Sequence, residues 1–242
     1  MNQNPRTTPW HTVHTPKRIE LKDLLSVRDF PTIEAALRTS TLGFHSPFPQ
    51  RQINSLYFDS YDFRTIEQSL SGSSLRKKHR FRWYGATENA HHPTLESKCK
   101  QGHLSWKILR RTQITFDLKA LTWETAYKNN GSETNFSDLC KILPISTTRP
   151  TSLVSYLRNY FESADGRLRV TLDKNLTFRD QNAYSRPNLK HTRFHPEKLV
   201  LEIKLAEEDS DLLRVLANHI SFVPRRFSKY CESLQGHLPR WI

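Results

Sequence analysis

The 242-residue chain is short of several things, and each shortage excludes a class of protein. It has only three cysteines, Cys99, Cys140 and Cys231, widely spaced and without a CxxC pair, so neither a disulfide framework nor a structural zinc site is supported. No stretch approaches the roughly 20 apolar residues that cross a bilayer. The start, Met1-Asn2-Gln3-Asn4-Pro5, lacks the apolar run of a signal peptide. A cytoplasmic protein with reduced thiols and no integral membrane segment is expected. GxSxG, HExxH and P-loop signatures are absent too, so no Ser, Cys or His nucleophile is indicated. Acid is scarce: 24 Asp+Glu face 37 Lys+Arg, a formal net charge of +13. That imbalance implies a polyanionic partner, and composition alone leaves nucleic acid, an anionic membrane and a phosphate-rich small molecule open.

What is present folds. Hydrophobic residues reach only 36%, but 13 Phe, 8 Tyr and 5 Trp provide large core pieces. Residues 1–14, with Pro5, Thr7, Thr8 and Pro9, read as a flexible N-terminal arm, and 15–242 as a single domain. Alternation predicts strands over Pro16–Lys22, Ile53–Phe58, Leu75–Tyr84, Thr94–Lys100, Leu104–Thr115, Leu153–Tyr160, Arg167–Lys174 and Lys198–Leu205. Helices are predicted over Phe30–Arg38, Asp62–Leu70, Leu118–Lys128 and Ser210–Ile220. The Asn129–Ser132 cluster and the Asn182–Pro196 segment read as loops. The class is α+β, with helices interrupting a large antiparallel sheet.

Several strands share an unusual code. Lys78, Arg80 and Arg82 occupy one face of their strand, with His79, Phe81 and Trp83 on the other. Glu96, Lys98 and Lys100 share a face, as do Arg169, Thr171 and Asp173. The pattern recurs in Leu199–Leu205 around Glu202 and Lys204, and in Arg18-Ile19-Glu20-Leu21-Lys22. For a single strand this means a solvated face. Jointly the strands fit better with a closed barrel, charged inside and apolar outside where helices cover it. Buried cations require compensation, so such a cavity requires an anionic ligand. An extended triphosphate or longer phosphate chain fits that space, and duplex nucleic acid does not. Cys99, between Lys98 and Lys100, is expected in the outer core, and Glu96 in an ion pair. Tyr57 and Trp83 are expected in the core.

These segments resemble the VTC (vacuolar transporter chaperone) polyphosphate polymerase domain, a branch of the CYTH or triphosphate tunnel metalloenzyme superfamily. Arg18–Lys22 is similar to its ExExK-type opening strand. Ser55-Leu56-Tyr57-Phe58-Asp59 is similar to SLYFD, and Arg80–Gly85 to RxRWYG. Leu95–Lys98 and Leu201–Lys204 resemble its two LExK strands. Tyr156-Leu157-Arg158, Leu168–Asp173 and Phe227-Ser228-Lys229-Tyr230 resemble YxR, LRxTLD and FSKY. The likeness runs from about residue 16 to 233 with the motifs in order.

The resemblance implies an eight-stranded antiparallel tunnel that transfers the γ-phosphate of ATP to a growing polyphosphate chain with a divalent metal, Mn²⁺ or Mg²⁺. It makes Lys22, Arg80, Arg82, Lys98, Arg158, Arg169 and Lys229 the catalytic phosphate ligands, with Lys107 an eighth. Lys100 and Lys204 are substrate-binding candidates, facing the tunnel or its mouth. Glu202 would hold the metal, with Glu20 a second candidate. Alternatives are a metal-dependent triphosphatase of the same fold and a non-catalytic polyphosphate-binding module. Asp23 stands where the family often has an aromatic residue, a difference of little expected chemical consequence. Unlike the fungal complexes, the chain carries no membrane segment and no SPX-like domain, so coupling to transport would need a membrane-protein partner.

Overall fold

A computed structural model describes residues 12–113, 115–128 and 148–235. Most of the expected arm, the Asn129–Ser132 cluster and Cys140 lie outside the described residues. The chain forms β1 (Thr12–His14), β2 (Arg18–Ser26), α1 (Phe30–Arg38), β3 (Arg51–Ser60), α2 (Arg64–Leu70), β4 (Leu75–Tyr84), β5 (Asn89–His91), β6 (Thr94–Gln101) and β7 (Leu104–Arg111). Then follow β8 (Thr115–Asp117), α3 (Trp123–Lys128), β9 (Thr148–Glu162), β10 (Leu168–Asp180), β11 (Arg193–His195), β12 (Lys198–Leu205), α4 (Leu212–Ala217) and α5 (Lys229–Leu234). All eight expected strands form, and α1, β4 and β12 agree with the sequence reading end to end.

The sheet runs β7-β2-β12-β10-β9-β3-β4-β6, every pair antiparallel, and the β6–β7 pairing closes it into an eight-stranded barrel. The seam at β2–β7 is short, with only Arg18↔Ser105 and Ile19↔Leu104 in register. Farther along the same edge of β7, β1 adds Thr12↔Arg110, Val13↔Leu109 and His14↔Ile108. The end of the expected arm is therefore a stave of the wall, because its backbone groups find partners on β7 that β2 leaves open. β11 similarly pairs with β10 inside the segment expected to be a loop.

Alternation sends apolar side chains outward against two layers of cover. Phe58, Phe81, Trp83 and Leu95 pack under Leu118, Trp123 and Phe116. Leu172, Leu201, Ile203 and Leu205 pack under Ile33 and Leu37 of α1 and Leu216 of α4. Cys99 is buried in the outer wall, 1% exposed, opposite the face of Lys98. The third cluster is internal. Ile53, Tyr57, Val154, Tyr156 and Val200 turn inward at one end, where Ile66 of α2 and Tyr230 and Leu234 of α5 seal it. Asp59 holds this seal: its carboxylate accepts from Thr65 N (2.9 Å), Ile66 N (3.2 Å) and Tyr230 Oη (2.7 Å). It caps α2 and ties α5 down together. Among the described residues, no helix is long and apolar enough to cross a membrane.

Candidate active site

The barrel encloses a cavity of about 560 Å³. Its wall carries Lys22 from β2, Lys78, Arg80 and Arg82 from β4, Lys98 and Lys100 from β6, Lys107 from β7, Arg158 from β9, Lys204 from β12 and Lys229 from α5. Arg76, Arg225 and Arg226 stand at one mouth, and Glu20 and Glu202 are the acids exposed to the space. Eleven of the twelve residues expected at the site therefore share one cavity. The two whose position the sequence left open, Lys100 and Lys204, both line it.

Arg169 does not. It shares a face with its register partner Lys204, but its side chain is 56% exposed and its Nε donates to Glu162 at 2.6 Å. Alternation fixes which face a residue takes, not how far along the barrel it stands. Arg169 lies beyond the end of the cavity.

The interior is charge-compensated by four carboxylates. Glu96 accepts from Arg80 at 2.6 and 3.0 Å and pairs with Arg82 at 3.5 Å and Lys107 at 3.3 Å. Glu20 pairs with Lys22 at 3.1 Å and with Lys98. Asp173, fully buried, is gripped bidentately by Arg158 (2.6 and 2.7 Å) and by Lys229 (2.6 Å). Glu202 pairs with Lys204 at 2.6 Å and Arg158 at 3.4 Å. Burial alone would raise all four carboxyls. The surrounding cations outweigh it and hold Glu96 and Glu202 well below the ordinary range, with Glu20 and Asp173 also lowered.

The lysines diverge. Burial lowers Lys22, yet Glu20 and Glu202 more than reverse this and raise it. Lys98 is pushed down to about 7 by burial, with Glu20 opposing and Lys22 adding to the fall. Lys107 is also well below its ordinary value, because burial exceeds the help of Glu96.

Arg158 and Lys229 are both buried, each only 6% exposed. Lys229 is the first residue of α5, the end where a helix disfavours positive charge, so Asp173 holds it in place against the dipole. Asp173, which holds Arg158 and Lys229, and the mouth residues Arg76, Arg225 and Arg226 are not among the residues expected at the site. Asp173 was visible as the third polar member of the Arg169-Thr171-Asp173 row. Arg225 and Arg226 lie on a loop without periodicity, and no signal pointed to them. Asp23, expected to matter little, anchors that loop. It is 2% exposed and accepts from Val223 N at 2.8 Å and pairs with Arg225 at 3.3 Å, while Arg225 N donates to Lys22 O at 2.7 Å. Tyr57 is buried as expected, but it also faces the cavity and its hydroxyl accepts from Arg80 at 2.8 Å.

Two carboxylates, Glu20 and Glu202, stand on the neighbouring strands β2 and β12 and open to the same space. Among the described residues there is no group of three or more His, Cys, Asp or Glu that could cage a metal. This donor set fits a hard cation such as Mg²⁺ or Mn²⁺, which is held by one or two carboxylates and completes its shell with phosphate oxygens and water.

The fold and the site together define the class, a closed antiparallel barrel with a basic interior and a carboxylate pair open to it. Within it the particular family is shown: the VTC domain model matches residues 17–237, and the chain belongs to that family. No match among curated proteins was found. Among solved structures, an adenylyl cyclase-type protein of Hippeastrum, described by a dominant triphosphatase activity, is 15% identical with TM-score 0.48, covering 92% of this chain and 98% of that one. A PH1819 protein of Pyrococcus horikoshii is 12% identical with TM-score 0.46, covering 90% and 97%. An adenylate cyclase-type protein of Vibrio parahaemolyticus is 10% identical with TM-score 0.44, covering 84% and 85%. At TM-scores below 0.5 these likenesses carry no functional weight.

Proposed function

We propose that the chain is a polyphosphate polymerase that transfers the γ-phosphate of ATP to the end of a polyphosphate chain with Mg²⁺ or Mn²⁺. The observation that carries this reading is the excess of cations inside the wall. Four carboxylates are shared among eight buried or half-buried cations, so the cavity is preorganised and still strongly positive. A linear polyanion neutralises that excess. Membership of the VTC domain family supports the choice of polyphosphate.

Phosphoryl transfer through a loose transition state needs positioning and charge neutralisation rather than a covalent intermediate. Arg80, Arg82 and Arg158 present forked donors to phosphate oxygens, and Lys22, Lys98, Lys107 and Lys229 act as point charges. A terminal phosphate oxygen of the chain forms a bond to Pγ while the bridging β–γ P–O bond breaks and ADP leaves with its electron pair. When bound at Glu202 and Glu20, the metal would neutralise charge on phosphate oxygens. The same two carboxylates also keep Lys22, Lys98, Lys204 and Arg158 aimed inward before substrate arrives.

The test is incubation with ATP and Mn²⁺ or Mg²⁺ with electrophoretic sizing of products, beside Glu202→Ala and Lys22→Ala. Long chains from the parent and a loss of at least about 100-fold in each variant are expected. Free phosphate without chains would instead make the protein a triphosphatase, and anion binding without nucleotide turnover a binding module.

A further inference from the structure

The inward-facing rows continue past the end of the cavity. On β4 the row Lys78, Arg80, Arg82 runs on to Tyr84, and on β9 Tyr156 and Arg158 are followed by Tyr160. On β3, Arg51 is the register partner of Arg158. With Phe48 these residues form one cluster. The Arg51 guanidinium lies 4.2 Å from the Phe48 ring centroid, 5.5 Å from that of Tyr84 and 5.8 Å from that of Tyr160. Phe48 and Tyr160 meet edge to face at 5.5 Å. The segment is held in place: Gln50 Nε2 donates to Asn159 Oδ1 at 2.8 Å, and His45 bridges to Glu162.

Phe48 is 46% and Tyr84 51% exposed, which leaves large apolar surface in water at the end of a charged wall. The Tyr160 hydroxyl has no hydrogen-bond partner. A guanidinium among half-exposed rings is the chemistry that stacks a planar heterocycle. Two residues of strand separate Tyr84 from Arg82 and Tyr160 from Arg158, about 6.6 Å, roughly the reach of one sugar. The mouth at Arg76, Lys100 and Arg226 differs in offering cations at its rim, a surface suited to phosphate.

We propose that Phe48, Arg51 and Tyr84 form a stacking platform for the nucleobase of a nucleoside triphosphate whose phosphates occupy the cavity. The inference rests on the reading of the cavity as a triphosphate site and adds an orientation to it: base at the Tyr84 end, phosphate chain towards Arg226.

Isothermal titration of the full chain with ATP and, separately, inorganic tripolyphosphate tests this. Phe48→Ala and Tyr84→Ala, both at half-exposed positions, should weaken ATP binding about 5- to 150-fold each, the range for lost base stacking. Tripolyphosphate binding should not change, and Tyr84→Phe should retain ATP affinity. Equal loss for both ligands, or no loss for ATP, would overturn the platform while leaving the cavity reading intact. Failure of the parent to bind either anion would overturn both.

Discussion

The deep wall and the mouth of the cavity are both basic, but they hold their charge differently. Each deep cation, from Lys22 to Lys229, shares one of four carboxylates. Arg76, Lys100 and Arg226 at the mouth have no carboxylate within 4.0 Å among the described residues, while Arg225 there pairs with Asp23, outside those four. Lys78, largely buried in the wall, donates to Ser228 Oγ at 2.9 Å in place of a carboxylate. Lys78 apart, the difference follows from burial. A desolvated cation must be paired before substrate arrives, whereas one near water can wait for its anion. Deep charges are thus fixed in geometry and mouth charges are adaptable.

The sharpest way to break this contrast is to remove a deep counter-ion. Asp173→Ala strands Lys229 and leaves Arg158 with Glu202 alone, and urea unfolding should show a loss of about 3–5 kcal/mol. Polyphosphate should restore part of it by supplying the missing charge. A loss below about 1 kcal/mol would mean that the wall tolerates unpaired cations and that the contrast is empty. Next in size is a pH effect. Because burial holds Lys98 at about 7, it is protonated below that pH and increasingly neutral above it. Binding of a polyanion favours the charged amine, so affinity should fall as pH rises through about 7. Lys98→Arg, charged throughout, should flatten that part of the profile; an identical profile would remove Lys98 from the site. The smallest effects belong to the mouth. Arg76→Ala and Lys100→Ala should each weaken polyphosphate binding by about 0.2–1 kcal/mol and leave the unfolding midpoint unchanged.

Much of this was legible in the sequence because alternation reports a residue's face directly. Lys78, Arg80 and Arg82 against His79, Phe81 and Trp83 named both the lining and the core of β4. Depth along the barrel was not legible, since it depends on how neighbouring strands stagger, and so Arg169 shares the row of Asp173 yet lies outside the cavity. The short pieces were missed for a simpler reason. β1, β5, β8 and β11 have three residues each and α5 has six, too few to display a period. Asp23 was undervalued because its partners Val223 and Arg225 lie some 200 residues away.

The seam between β2 and β7 has a mechanical consequence. A hollow cylinder whose lining repels itself is under outward pressure, and it yields first at its shortest joint. Here that joint has two registered pairs, and the three supplied by β1 act as a clasp. Thr15 fastens the clasp to a cavity-facing stave: its N donates to Lys107 O at 2.9 Å and its Oγ1 accepts from Lys107 N at 2.8 Å. Deleting residues 1–14 should therefore speed amide exchange in β7 more than in β9 or β10, and a bound polyanion, by relieving the pressure from within, should slow it again.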